Sequence, residues 1–405
     1  MAKPLKICVC GGGKSAHVMA IMAASKPDVE VNVLTLYKDE ADKWSKAISK
    51  DEMVLILKDE DGKTSEVKAK PSVVSKDPKS IVPESDLLIF TVAANTHEEY
   101  LKAISGHLHK KIVVVGLPGL PGFEYLCKSS FGELSEQITV MSFEISPWVC
   151  EIIEYGKKVE VTRTAKSLNG SILRGKAIPR KPALMSLQMT LGFDPALKQV
   201  KHFAELLFTS YTFFNPVIMY GKWKDWDGKA LDCEPLMYED ITEETAKLLE
   251  SCSKEYQDVA HAISAKKPEV DLTEIPDIFN WVVEFYKKEI EDGTSLLKAI
   301  QTNKVYKGVK HIMKKNKRTF TPDFECRYLA EDIPMGMVVV RGIAEILELP
   351  TPTCDTVIQW GQEKLKKKYL VDGKVAGSDV KETRAPQRFG FTTLEEILSG
   401  QKTDS

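Results

Sequence analysis

Leu5-Lys6-Ile7-Cys8-Val9-Cys10-Gly11-Gly12-Gly13-Lys14-Ser15-Ala16 is the stretch whose reading decides the fold. Leu5 to Cys10 is a strand-forming, mostly apolar run and reads as a buried first strand. Gly11-x-Gly13-x-x-Ala16 follows at once, and Val18, Met19, Ile21 and Met22 then give an apolar helical pattern. A strand, a glycine loop and a helix in that order make a dinucleotide site. Gly11 permits the tight turn, Gly13 lets a pyrophosphate approach the backbone, and Ala16 is small enough for the helix to lie close to the strand. The start of the helix offers free N–H groups and the positive end of its dipole. A glycine turn that only packs a helix on a sheet is the plainer alternative.

Working outward, the first 150 residues alternate strands and helices. Val29 to Leu36 reads as a second strand, and Asp39 to Ile48 as a helix with Ala41, Trp44 and Ile48 on one face. Met53 to Lys58 and Glu66 to Val74 flank the turn Asp59-Glu60-Asp61-Gly62 as a hairpin. Asp86 to Val92, Lys111 to Gly116 and Gln137 to Ser142 are continuous apolar strands, with a helix over Thr96 to Ile104. Such runs imply a parallel sheet covered on both faces, with ligands at the carboxyl ends of the strands. Gly175 to Pro182 is basic and proline-containing and reads as surface chain. Helical periodicity dominates later, clearest over Ile241 to Lys266, Ile278 to Lys288, Ile333 to Leu347 and Thr356 to Lys368. The fold expected is α/β: a doubly wound Rossmann-type domain over 1–202 and a mainly helical domain over 203–405.

Composition bounds the function. At 405 residues the chain exceeds the roughly 100–200 residues of an ordinary domain. It is 43% hydrophobic and 28% charged, as soluble globular proteins are. A net charge of −2 gives no reason to expect nucleic acid or an acidic membrane as partner. No apolar run reaches the roughly 18 residues of a membrane span, and the N-terminus begins directly as a strand rather than a signal peptide. The eight cysteines form no C-x-x-C pair and no zinc-spaced cluster, so no metal is expected and the thiols read as reduced and cytoplasmic. Cys8 and Cys10 share one strand face and read as core filler.

NAD is usually held by an acidic residue at the tip of the second strand. Here the tip is Thr35-Leu36-Tyr37-Lys38, with no carboxylate before Asp39. Tyr37 is placed to cover an adenine, and Lys14 or Lys38 to meet a phosphate. NAD is the expected cofactor and NADP the secondary candidate. Val92 and Ala93 follow the fourth sheet strand, and Gly116-Leu117-Pro118-Gly119-Leu120-Pro121-Gly122 follows the fifth. Both loops fall where a nicotinamide would lie, and the small side chains allow close approach of a flat ring.

Several motifs resemble the opine dehydrogenases of marine invertebrates. They are Cys8-Val9-Cys10-Gly11-Gly12-Gly13, Ala16-His17, Ser142-Phe143-Glu144, Pro147-Trp148, Asp332-Ile333-Pro334-Met335-Gly336-Met337, Tyr369-Leu370-Val371-Asp372-Gly373 and Pro386-Gln387-Arg388-Phe389-Gly390-Phe391. The resemblance runs from about residue 5 to residue 400, and the Asp332 and Pro386 blocks are far more specific than the glycine loop. It implies NADH-dependent joining of pyruvate to an amino acid, in a cleft between a Rossmann domain and a helical domain. It also implies a cytosolic monomer that regenerates NAD in anaerobic glycolysis when oxygen is short.

On that resemblance Arg327 grips the keto acid, a task that suits a planar guanidinium. Its plainer reading is a surface arginine paired with Glu325 or Glu331. Asp332 resembles the aspartate that orients the family's catalytic histidine, and it is also placed to cap a helix starting at Ile333-Pro334. The histidine itself is replaced. The matching segment, Tyr211-Thr212-Phe213-Phe214-Asn215-Pro216, carries Asn215. Asparagine donates a hydrogen bond but transfers no proton near neutrality. Losing a general acid costs roughly 10²–10⁴-fold in rate, about 3–5 kcal/mol of barrier. Tyr211 and His202 are the nearby candidate relays. Leu120, Ile145 and Thr209 stand where octopine-type members carry polar or longer side chains, whereas Cys150 and Trp281 match the family. These substrate-pocket residues imply a small or apolar amino acid of the alanine, glycine or taurine type, beside a 2-oxo acid.

Three readings follow. The first is an NADH-dependent opine dehydrogenase, acting on a CH–NH bond, with Asn215, Arg327 and Asp332 at its centre and Gly11, Gly13, Lys14, Ser15, Ala16, Tyr37, Val92 and Ala93 on the cofactor. The second is an impaired NAD(H)-binding relative with a structural or sensing role. The third is another pyridine-nucleotide oxidoreductase whose substrate does not need the lost histidine.

Overall fold

The continuous apolar runs build the centre of an eight-stranded sheet in the computed structural model, which describes residues 3–59 and 62–402. The chain forms two units, Met1–Leu206 and Leu207–Ser405.

The strands of the first unit are β1 (Leu5–Cys10), β2 (Val29–Leu34), β3 (Met53–Lys58), β4 (Thr64–Ala69), β5 (Val73–Ser75), β6 (Leu87–Phe90), β7 (Val113–Gly116), β8 (Thr139–Phe143), β9 (Trp148–Glu154), β10 (Lys158–Thr164), β11 (Ser167–Leu173) and β12 (Ala196–Gln199). Its helices are α1 (Lys14–Ala24), α2 (Glu40–Ala47), α3 (His97–Ile104), α4 (Phe123–Ser130) and α5 (Ala183–Leu191). The large sheet has the order β12-β11-β8-β7-β6-β1-β2-β5. Its six strands from β8 to β5 are parallel, while β11 runs antiparallel to β8. Leaving out the β3–β4 hairpin, this is the nucleotide-binding order in which the strands on either side of β1 wind in opposite directions. The fold is therefore the Rossmann-type α/β plan that the sequence predicts.

One expectation here needs correction. The run read as one strand over Glu66 to Val74 is two. β4 ends at Ala69, Pro71 lacks the N–H a ladder needs, and Ser72 N donates instead to Val31 O at 2.7 Å. The chain changes sheets there, and β5 pairs with β2. In the turn Asp59-Glu60-Asp61-Gly62, Glu60 and Asp61 lie outside the described residues. Of the second sheet, β4-β3-β10-β9, the sequence shows only the β3–β4 hairpin; β9 and β10 go unread. This sheet lies against α1, which also packs on β1 and β2. Residues Ala16 to Ile21 are consecutively buried, and a helix enclosed on all sides has no polar face.

The second unit contains α6 (Tyr211–Trp223), α7 (Glu243–Lys266), α8 (Ile278–Tyr286), α9 (Leu296–Gln301), the hairpin β13 (Met313–Asn316) and β14 (Thr319–Pro322), then α10 (Arg327–Ala330), α11 (Val338–Ile346), α12 (Pro352–Leu365) and α13 (Leu394–Ser399). It is mainly helical, as expected. Side chains cap the starts of two of these helices: Thr242 Oγ1 accepts from Thr245 N at 3.2 Å before α7, and Asp277 accepts from Asn280 N at 2.9 Å before α8. α6 packs along α7, with α12 against both. The helix read over Ile333 to Leu347 is not continuous. Ile333–Met337 is a wide π turn in which Met337 N donates to Asp332 O at 3.0 Å, and α11 follows it. Gly336 lets this turn meet α6, because a Cβ there would overlap Thr212. Among the described residues, no helix is long and apolar enough to cross a membrane.

Candidate active site

Phosphate recognition needs unclaimed backbone N–H groups, and the start of α1 has them. Gly13 precedes the helix in an extended conformation, and no side chain caps that end. The space where a Cβ would stand at Gly13 is open, so a pyrophosphate can lie against the backbone. Gly11 has φ +137°, and a Cβ there would come within 2.8 Å of Val92 Cγ1. Ala16 is fully buried on the sheet. These residues fit a dinucleotide. Val92 O accepts from His97 Nε2 at 3.1 Å, and Ala93 follows it exposed. Tyr37 is exposed, with Lys38 Nζ 4.8 Å from its ring centre. The Lys14 ammonium is paired with Glu151 at 2.6 Å rather than free for a phosphate.

His17 locks this loop. Its Nδ1 lies 2.8 Å from Gly13 O, which only accepts, so Nδ1 carries the proton. Its Nε2 accepts from Gly156 N at 2.9 Å. The ring stacks on Trp44 at 3.8 Å, with Tyr155 edge-on. Burial pushes the His17 pKa down to about 4, against the opposing pull of the Gly13 carbonyl. Protonation would turn Nε2 into a second donor facing the Gly156 N–H. A lowered histidine pKa means stability present above about 6.5 and lost as pH falls towards about 4, on the order of 3 kcal/mol for such a shift. Burial lowers His311 similarly, where Nδ1 accepts from Trp223 Nε1 at 3.2 Å. Urea titrations at pH 7 and pH 5 are expected to show this loss. His17→Asn is expected to shrink it while leaving the His311 part; an unchanged pH dependence would show that His17 does not contribute.

The first unit brings several expected residues together. The first turn of α1 meets β9: Ser15 Oγ lies 3.5 Å from Ser146 Oγ and beside the Cys150 thiol, which burial pushes up. Leu120 is buried in the loop after β7 with φ +63°, an unusual conformation for so bulky a residue. Its neighbour Gly119 donates to Phe143 O at 2.9 Å. Ile145 follows β8 and packs against the core of this unit. Leu120 and Ile145 thus flank the carboxyl ends of neighbouring parallel strands. His202, half-buried in the same unit, accepts from Ala204 N at Nδ1, and burial lowers its pKa.

The second unit holds Thr209, Asn215, Trp281, Arg327 and Asp332. Arg327 Nη2 donates to Tyr211 Oη at 2.5 Å, while the residue stays accessible to solvent. Glu325 is taken by Lys314 at 2.5 Å, so the Arg327–Glu325 pair is not formed. Asn215 is buried on α6 and accepts from Tyr238 Oη at 3.0 Å through Oδ1. The Asp332 carboxyl lies near it, and Asn215 is the weakest of the groups that act on that carboxyl, lowering its pKa. Asp332 is 4% exposed, and its Oδ2 has no hydrogen-bond partner. It does not cap the following turn with its side chain. Burial pushes this carboxyl well above the ordinary range, against the pull of Arg327. Trp281 stacks on Phe285 at 5.7 Å and meets Phe214, the neighbour of Asn215, at 5.8 Å. Thr209 O takes the Thr212 hydroxyl at 3.1 Å. Tyr238 was missed in the sequence; it lies in irregular chain with no motif around it.

Comparisons with known proteins agree on one group. Residues 199–365 match the NAD/NADP octopine/nopaline dehydrogenase alpha-helical domain. Octopine dehydrogenase of Pecten maximus is 45% identical, over 98% of this chain and all of that protein. Tauropine dehydrogenase of Arabella iricolor is 39% identical, over 97% of this chain and 99% of that one. Solved structures of octopine dehydrogenase with NADH and L-arginine, and with NADH and pyruvate, superpose with TM-scores of 0.95 and 0.92 at 45% and 44% identity, each covering 99% of both chains.

Proposed function

The chain belongs to the opine dehydrogenase family, and we propose that it uses NADH to join pyruvate reductively to a small or apolar amino acid of the alanine, glycine or taurine type. The observation that carries this reading is Arg327 held by Tyr211 at 2.5 Å in the same unit as the buried, half-partnered Asp332 carboxyl. NADH, when bound, supplies the hydride. The glycine loop and the uncapped start of α1 bind its phosphates. Arg327 keeps donors beyond the one given to Tyr211 and uses them on the keto-acid carboxylate. Asn215 orients both substrate oxygen and Asp332 by hydrogen bonding, and Asp332 holds the transferable proton at Oδ2.

Leu120 and Ile145 support the amino-acid class. Neither offers a partner to a guanidinium tail, and an unpaired polar group costs on the order of 1–3 kcal/mol. In this role the chain regenerates oxidised NAD in the cytosol. The test is NADH absorbance with pyruvate and a panel of alanine, glycine, taurine and arginine. Turnover with one of the first three is expected to exceed that with arginine by about tenfold or more. Arginine as the preferred partner would overturn the pocket reading. NADH binding without turnover for any pair would leave the impaired, non-catalytic reading in its place.

A further inference from the structure

The second strand ends without the acidic residue that usually holds the adenosine ribose, yet the structure puts a carboxylate at the glycine loop by another route. Asp39, the first acid after β2, is exposed and turns to Lys43 at 3.0 Å. The next residue behaves differently. Glu40 opens α2 and folds back, so that its Oε2 accepts the Thr35 hydroxyl at 2.6 Å. A Cβ built on Gly12 would overlap this carboxylate, so Glu40 lies directly against the middle glycine of the phosphate loop. Glu40 has no ion-pair partner among the described residues, and no described donor claims its Oε1. Its charge is felt nearby: it is among the groups that raise the Tyr100 and Tyr155 phenols, after burial. The two cations that favour a phosphate reading stand elsewhere. Lys14 is held by Glu151, and Lys38 sits over the Tyr37 ring.

We propose that Glu40 is the carboxylate that takes the adenosine ribose hydroxyls of NADH and rejects the 2′-phosphate of NADPH. The proposal deepens the functional reading above and rests on it. An ionised carboxylate accepts from both ribose hydroxyls, whereas a phosphate placed there would face an unneutralised like charge. Thr35 fixes the carboxylate in place, and the absent side chain at Gly12 leaves room for it.

The test measures dissociation constants for NADH and NADPH by nucleotide fluorescence in the intact chain, without turnover. The wild type is expected to bind NADPH about 100-fold more weakly than NADH. Glu40→Gln keeps the shape and the acceptor for Thr35 while removing the charge. It is expected to narrow the preference at least roughly tenfold, by weakening NADH and strengthening NADPH. Asp39→Asn is the control, because the same charge is removed one residue away on the exposed side. A preference unchanged in Glu40→Gln, with folding confirmed by thermal melting, overturns the assignment. So does an equal shift in Asp39→Asn. A wild type that binds neither nucleotide sinks the functional reading itself, and the assignment with it.

Discussion

Asn215→His is expected to raise the turnover of pyruvate and the preferred amino acid at least about tenfold, within the roughly 10²–10⁴-fold that a positioned general acid supplies. The reason lies in what each proton donor leaves behind. In the proposed reaction Asp332 holds the proton, and burial disfavours the charge left when it goes. Giving that proton up leaves a carboxylate in a dry site, which is costly. An imidazolium at position 215 gives up a proton and becomes neutral. It would stand beside the Asp332 carboxyl and beside the Tyr238 hydroxyl now bonded to Asn215 at 3.0 Å. The ring is larger than the amide, and overpacking costs about 1–3 kcal/mol, so thermal melting accompanies the kinetics. The gain should fade as pH rises through the imidazole pKa, because only the protonated ring donates. The measurement is kcat against pH for both proteins, with NADH affinity as control. A folded variant with unchanged NADH affinity and no gain would show that the missing imidazole does not limit this chain.

What the sequence made legible follows from how each element is buried. β1, β6, β7 and β8 are covered on both faces, so their apolar runs are continuous and visible. β9 is not: Trp148 and Cys150 are buried while Val149 and Glu151 are exposed, and Ile153 and Glu154 face outward too. Such a strand carries little signal once charged residues interrupt it, so of the second sheet only the β3–β4 hairpin is legible. Candidate site residues close in sequence to glycines or prolines stand out, because backbone demands betray their positions. Glu40 does not, because its carboxylate reaches Gly12 only after the chain leaves β2, turns, and starts a helix. The Asn215 segment was readable as aromatic and proline-bearing but not as the interior of α6, which continues through Pro216. The Asp332 side chain was expected to have a capping option; the π turn removes it by taking the backbone carbonyl instead.

Asp332→Asn is expected to lower turnover roughly 10²–10⁴-fold while leaving the fold at least as stable near pH 8. The two effects have one cause. A carboxyl whose folded pKa is raised contributes stability that is fully present below its ordinary pKa, near about 4, and is lost as pH rises through the folded value. At pH 8 the wild type must therefore either bury a charge or hold a proton against the solvent. Asparagine, of nearly the same shape, does neither. The Arg327 guanidinium opposes this by favouring the charged carboxylate, so the stability gain is a balance whose sign burial sets. The decisive measurement is the melting temperature of both proteins from pH 5 to pH 8, with kcat at each pH. The curves should meet at the acid end and separate upward, with the variant higher. A variant that melts lower across the whole range would show that Asp332 is ionised and serves the fold through Arg327. One that keeps wild-type turnover would show that the proton for the reaction comes from another group.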